Sequence, residues 1–224
     1  MSILTRIQQI YKNEGFLSLV KRAFKFLLSL PFEYKKFHLY ITVLGKEKEE
    51  EADWLPRIKN FTYKDIEGSQ QLKELLNQGF DLSLLDFPHA LQRLENGAVV
   101  SLFFVDKELA YNGWLAFSEE AKNSFDDYHY KVDFSNGEAC SGDNWTNPKY
   151  RRRGILYYAG YKRRQFLMKK GIYKIRWTTL AGNEAMHNEV IKENKLGVYK
   201  SRRYAKARSI RIFGREFWKE TPVS

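Results

Sequence analysis

One cysteine, Cys140, stands in 224 residues. A lone thiol permits no internal disulfide, which excludes a bridge-stapled secreted scaffold and points to a reducing cytosol. Apolar runs are short as well. A spanning helix needs roughly 18 consecutive apolar residues, and the most apolar stretch, residues 16–32, is broken by Lys21, Arg22 and Lys25. That stretch also lacks a small-x-small cleavage pattern, so neither a membrane channel nor a secretory leader is expected. The four histidines, His38, His89, His129 and His187, have no metal-ligand spacing, and no zinc cluster can be built on one cysteine, so no metal is expected. Neither Gly-x-x-x-x-Gly-Lys-Ser/Thr nor Gly-x-Gly-x-x-Gly occurs, which weighs against nucleotide hydrolysis and dinucleotide binding. Internal repeats and low-complexity tracts are missing too.

Apolar side chains, by contrast, make up 43% of the chain and aromatic ones 16%, far more than a disordered chain carries. The length allows one core with an appendage. Charge is uneven: 38 Lys and Arg against 27 Asp and Glu leave a net charge of +11. Residues 149–176 hold eleven of the bases and no acid, residues 200–215 add seven bases, and residues 108–143 are rich in acids. A field polarised in this way calls for a polyanionic partner: a phosphorylated cofactor, a nucleic acid or an anionic lipid surface.

Residues 1–45 read as an N-terminal amphipathic helical segment. Ile3, Ile7, Ile10, Phe16, Val20, Phe24 and Leu27 form its apolar stripe, and Lys12, Lys21, Arg22 and Lys25 lie between them. Such a helix either packs on its own domain or a second copy, or makes peripheral membrane contact through residues 1–30. Residues 46–58, opening with the charge run 46–53, read as a linker, and residues 59–224 as the main domain. Within it the patterns predict a strand at 61–66, helices over 69–78 and 82–95, and strands at 98–105, 109–117 and 128–134. An irregular strand, Gly137 to Thr146, runs into Pro148. A helix follows Gly154 and closes on Lys169, Lys170 and Gly171. A strand at 174–180, a helix over 183–194 and a final hairpin-like pair of strands complete the chain.

The strand that stops at Pro148 feeds a basic, Gly-containing turn that opens a helix. Such a turn presents unpaired N–H groups and a positive helix end to one spot, which is an anion site. The run Pro148-x-Tyr150-Arg151-x-Arg153-Gly154-Ile155 resembles the Arg/Gln-x-x-Gly-x-Gly/Ala signature of the GNAT superfamily of acyl-CoA-dependent N-acyltransferases. The order of elements from residue 60 to 217 is similar to the family's, and Asn183 with Lys195-Leu196-Gly197 resembles its later Asn…Lys-Leu-Gly-Phe element. Three positions differ: Leu156 stands for the last Gly/Ala, Asn183 precedes Gly197 by fourteen positions instead of the usual eleven, and Glu193 stands where many members carry an acid tyrosine.

The resemblance implies a mixed, mostly antiparallel α+β sheet flanked by helices, with acetyl-CoA or another acyl-CoA as co-substrate. It implies that Asn144, Trp145, Thr146, Arg151, Arg152, Arg153, Gly154, Ile155, Leu156 and Asn183 hold that molecule. The acceptor expected is a small-molecule or sugar amine, and the setting is the cytoplasm, at a membrane surface if the N-terminal helix docks there. Transfer to an amine also needs a base and a donor of a proton to the thiolate. Strand alternation puts Glu138, Cys140, Gly142 and Asn144 on one side and Ala139, Ser141, Asp143 and Trp145 on the other, provided no bulge resets it. Glu138 is the first candidate base and Asp143 the second, and either could instead pair with nearby bases. Tyr199 and Tyr204 are candidate acids or orienting groups. The competing class is a nucleic-acid-binding module, or a transferase of the same fold using an aminoacyl-tRNA donor, with Tyr150, Tyr157, Tyr158 and Tyr161 as stacking surfaces.

Overall fold

The computed structural model describes residues 20–21, 32–45, 50–126, 128–195, 199–212 and 215–222. It is a mixed α+β fold around one eight-stranded sheet. The strands are β1 (Phe32–Leu44), β2 (Phe61–Ile66), β3 (Val99–Val105), β4 (Glu108–Ala116), β5 (Glu138–Thr146), β6 (Lys174–Leu180), β7 (Tyr199–Ile212) and β8 (Arg215–Pro222). Their order is β2-β3-β4-β5-β6-β1-β7-β8. Every neighbouring pair is antiparallel except β5 and β6, which run parallel.

Helices cover both faces. On one lie α1 (Ser69–Asn77), α2 (Phe87–Glu95) and the short α3 (Glu119–Asn123). The amphipathic spacing of α1 and α2 buries Leu72, Leu75, Ala90 and Leu94 against Leu39, Trp114 and Cys140 of the sheet. On the other lie α4 (Ile155–Lys169) and α5 (Glu184–Lys195), with Ile155, Tyr158, Ala159 and Leu167 of α4 against the sheet. Because both faces are covered, β3 is buried along its whole length, Val-Val-Ser-Leu-Phe-Phe-Val. A near-continuous apolar run is what a strand buried on both faces requires.

Four elements differ from the sequence reading. Residues 32–44, assigned there to the N-terminal helical segment, form β1, which pairs with β6 on one side and β7 on the other. The alternation of Phe37, Leu39 and Ile41 with Lys36, His38 and Tyr40 suits a central strand with helices on both faces. The sheet therefore draws on residues before the charge run, and the final pair β7–β8 is joined to the rest through β1. Part of the presumed linker is also ordered: residues 51–54 form a 3₁₀ turn, and Tyr158 Oη donates to Glu51 Oε1 at 2.6 Å. Residues 128–133 form no strand, because β4 and β5 pair directly and leave no edge for them. They cross the sheet face instead, where Tyr130 is buried and donates to Asp126 Oδ2 at 2.5 Å. The last two strands divide after Ile212, so β7 is one continuous fourteen-residue strand. The N-terminal stripe lies outside the described residues apart from Val20, which is helical and exposed.

Candidate active site

The site begins where β5 and β6 separate. Their parallel pairing runs from Glu138–Lys174 to Cys140–Arg176 and stops. Beyond that point β5 stays with β4 up to Thr146, while β6 stays with β1 up to Leu180. Two parallel strands held by different partners must open a wedge, and their facing backbone groups lose each other as hydrogen-bond partners.

A bulge in β5 sets which side chains face the wedge. Trp114 pairs with Gly142 and Asn112 with Trp145, so Asp143 and Asn144 together oppose Gly113. Asp143 takes a left-handed conformation, φ 46°. The alternation resets there. Ser141 and Asn144 both face α4, whereas Asp143 turns to the opposite face and pairs with Arg93 of α2 at 2.5 Å. Asn144 Oδ1 accepts from Tyr111 Oη at 2.7 Å. This bond passes where a side chain on Gly113 would lie: a Cβ there would stand 2.3 Å from both oxygens.

The basic turn closes the wide end. Arg152 (φ 63°) and Gly154 (φ 84°) are left-handed, and Gly154 caps α4. The first amides of a helix have no intrahelical partner, and those of Ile155, Leu156 and Tyr157 belong to residues lining a cavity of about 700 Å³. That is within the range of small-molecule sites. Asn144, Thr146, Arg151, Arg152, Gly154 and Asn183 line it as well. Asn183 Oδ1 also caps α5, accepting from Met186 N at 3.2 Å. Arg153 and Trp145 do not line the cavity; Arg153 is exposed, with its carbonyl accepting from Arg57 N at 2.8 Å.

Asn144, Leu156 and Met186 also line a second cavity of about 80 Å³ next to the first, deeper between β5 and α4. Its wall holds three arginines, Arg163, Arg164 and Arg202, and one carboxylate, Glu193. Arg202 Nη2 meets Glu193 Oε2 at 2.8 Å, and Tyr199 Oη donates to Glu193 Oε1 at 3.2 Å. Burial, and then the nearby Glu193 carboxylate, push the Tyr199 hydroxyl up to about 12. At neutral pH Tyr199 keeps its proton, which suits an orienting donor better than an acid for a thiolate. Tyr204 stands opposite Tyr40 in the backbone register, but its side chain lies outside the described residues, as do Leu196 and Gly197.

Glu138 stands apart from both cavities. It is 4% exposed and pairs with Arg176 at 3.0 Å and Lys174 at 3.3 Å. Desolvation alone would raise its pKa, but the Asp133 N–H and the Arg176 guanidinium outweigh burial and hold it below the usual range. A carboxylate so paired joins β5 to β6. Cys140 is fully buried, and burial pushes its thiol up to about 12, which disfavours the thiolate. Arg163, Arg164 and Arg202 were not singled out in the sequence, where they stand within the two basic stretches 149–176 and 200–215. A signal for Arg163 was present, since it lies four residues from both Ala159 and Leu167, on the buried stripe of α4.

Among the described residues no three His, Cys, Asp or Glu side chains cluster as metal ligands, and no helix is long and apolar enough to cross a membrane. No family model matches the sequence, and no curated protein matches it. Solved structures with a similar course of chain include a tandem GNAT protein from the clavulanic acid biosynthesis pathway: 10% identity, TM-score 0.49, 91% of this chain and 59% of that one. A GNAT-family acetyltransferase from Colwellia psychrerythraea matches at 12% identity and TM-score 0.46, over 85% of this chain and 61% of that one. The C-terminal domain of a putative lysylphosphatidylglycerol synthetase from Agrobacterium fabrum matches at 13% identity and TM-score 0.38, over 66% and 48%. The chain spans between about half and three fifths of these three solved chains. The likeness is one of chain course at low identity, and the functional reading comes from the site.

Proposed function

We propose that this protein is an N-acyltransferase that moves an acyl group from a coenzyme A thioester to a primary amine. One observation carries the reading: the wedge between β5 and β6 adjoins the free amides at the start of α4, within one continuous lining. A donor with phosphates at one end and an extended, amide-bearing arm fits both halves. The diphosphate meets the amides of residues 154–157 and the Arg151 and Arg152 side chains, and the arm takes the unpaired edge of β5.

In the transfer the amine lone pair attacks the thioester carbonyl carbon. The tetrahedral intermediate collapses by breaking the C–S bond, with the electron pair leaving on sulfur. The proton lost by nitrogen ends on the thiolate, giving an amide and a free thiol. With Glu138 tied to β6, Asp143 is the other carboxylate of β5, at the bulge and outside the lining of both cavities. Its Oδ2 is held by Arg93, and Oδ1 has no partner among the described residues, which suits it to carry that proton. The amine would then approach from the α2 face, opposite the donor.

Nucleic-acid binding draws less support. Tyr158 and Tyr161 are buried, and Arg163 and Arg164 turn inward, so half the proposed stacking surface and part of the basic stripe are unavailable to an extended polyanion. The reading is tested by thiol release from acetyl-CoA with a panel of primary amines. Asp143→Asn is expected to lower turnover by roughly 10²- to 10⁴-fold with little change in donor affinity. Turnover within threefold of wild type would remove Asp143 from the chemistry.

A further inference from the structure

The small cavity carries a charge that the transfer just described does not use. Arg163 is 7% exposed and lies on the buried stripe of α4. Its Nη1 donates to Ser141 Oγ at 2.7 Å and its Nη2 to Tyr111 Oη, both neutral hydroxyls, and its Nε has no hydrogen-bond partner. No carboxylate forms an ion pair with it among the described residues. Glu193, in the same wall, is occupied by Arg202 and Tyr199, and Asp65, in β2, by the hydroxyls of Tyr63 and Ser101. Asp65 is a nearby opposite charge without direct contact; a buried guanidinium with no carboxylate bonded to it and an unpartnered Nε is still costly, and here it lines a cavity next to the proposed donor site.

We propose that this cavity receives a carboxylate at the far end of the acyl group, so that the preferred donor is a dicarboxylic acid mono-thioester such as succinyl-coenzyme A. The inference rests on the acyl-CoA reading above and names its substrate class. At about 80 Å³ the cavity has room for roughly two or three water-sized groups, enough for a carboxylate and its neighbouring methylene. A planar guanidinium is the side chain suited to a carboxylate, and a charge-assisted bond in a buried site is strong. The carboxylate belongs to the donor and not to the acceptor because the cavity is lined by Ser141 and Asn144 of β5 with Ile175 and Trp177 of β6, along the wedge proposed for the donor's arm on the α4 face, whereas Asp143 points to the other face. The transfer balances as before: the C–S bond breaks, the C–N bond forms, coenzyme A leaves as the thiol, and the amide product keeps the distal carboxylate.

Calorimetry on the full chain compares succinyl-CoA with butyryl-CoA, which has the same four carbons but ends in a methyl group, and with coenzyme A alone. Succinyl-CoA is expected to bind about tenfold tighter than butyryl-CoA or better. Arg163→Gln should bring that ratio close to one, and Arg163→Lys should keep part of it. The wild-type ratio alone decides the matter if the Gln variant fails to fold. Butyryl-CoA binding as tightly as succinyl-CoA overturns the inference and leaves the donor reading intact. If free succinate also stabilises the protein in that case, the carboxylate belongs to an acceptor. If neither coenzyme A nor either thioester binds, the donor reading falls and the inference falls with it.

Discussion

Gly154 separates backbone strain from anion binding in one experiment. It caps α4 at φ 84°, ψ 4°, a conformation that costs an L-residue about 1–2 kcal/mol. A Cβ there would meet Pro56 Cα at 3.5 Å, an ordinary contact. Gly154→Ala should therefore lower stability by about 1 kcal/mol and leave coenzyme A affinity within a few-fold. Gly154→Asp tolerates the left-handed backbone better but sets a negative charge beside the diphosphate. Two like charges about 5 Å apart at an effective dielectric near 20 repel by about 3 kcal/mol, which weakens binding on the order of a hundredfold. Titrating coenzyme A into both variants by calorimetry gives the ratio directly, and added salt should narrow it. An Asp variant that binds within threefold of the Ala variant would refute the anion site.

Three further outcomes follow from the packing. Gly113→Ala would force a Cβ to 2.3 Å from Tyr111 Oη and Asn144 Oδ1; it should break that hydrogen bond and weaken thioester binding, measured beside thermal stability, whereas unchanged binding would detach the bulge from the site. Glu138→Gln should destabilise by roughly 3–5 kcal/mol, because it strands Arg176 beside a buried neutral group. Since the folded pKa of Glu138 is depressed, its contribution is complete above the unfolded value of about 4.3 and is lost as pH falls through the folded one. The variant's stability should then depend less on pH in the acid range, and an unaltered acid limb in denaturant titrations would contradict the pairing. Deleting residues 1–45 removes β1 from between β6 and β7 and should abolish cooperative unfolding; a truncated chain with wild-type circular dichroism and melting would contradict the topology.

The sequence made most of the sheet legible where a strand is a plain apolar run, as in β3, or stops at strong punctuation, as β5 does at Pro148. The turn between β5 and α4 was legible for the same reason: Gly154 and three arginines interrupt two regular patterns. β1 was hidden because its lysines and its place before the charge run made residues 32–44 look like the tail of a basic amphipathic segment, and its partners lie more than 130 positions away. The bulge at Asp143 could not be derived from composition, yet it decides that Asn144 faces the two cavities and Asp143 the other face. Glu138 looked chemical because it is an acid on the active strand; only its Arg176 and Lys174 neighbours in β6 show it to be a strand-joining ion pair. Arg163 was hidden in the opposite sense, since it counts as one more base of an acid-free stretch until the period through Ala159 and Leu167 is given priority.

The most direct measurement is the thermal unfolding of the intact protein against coenzyme A concentration. A ligand bound to the folded state alone stabilises it by about 2.7 kcal/mol at 100 times its dissociation constant, so the midpoint should climb steadily with coenzyme A and show no comparable rise with a short RNA. A midpoint that stays fixed up to millimolar coenzyme A while RNA raises it would contradict the account.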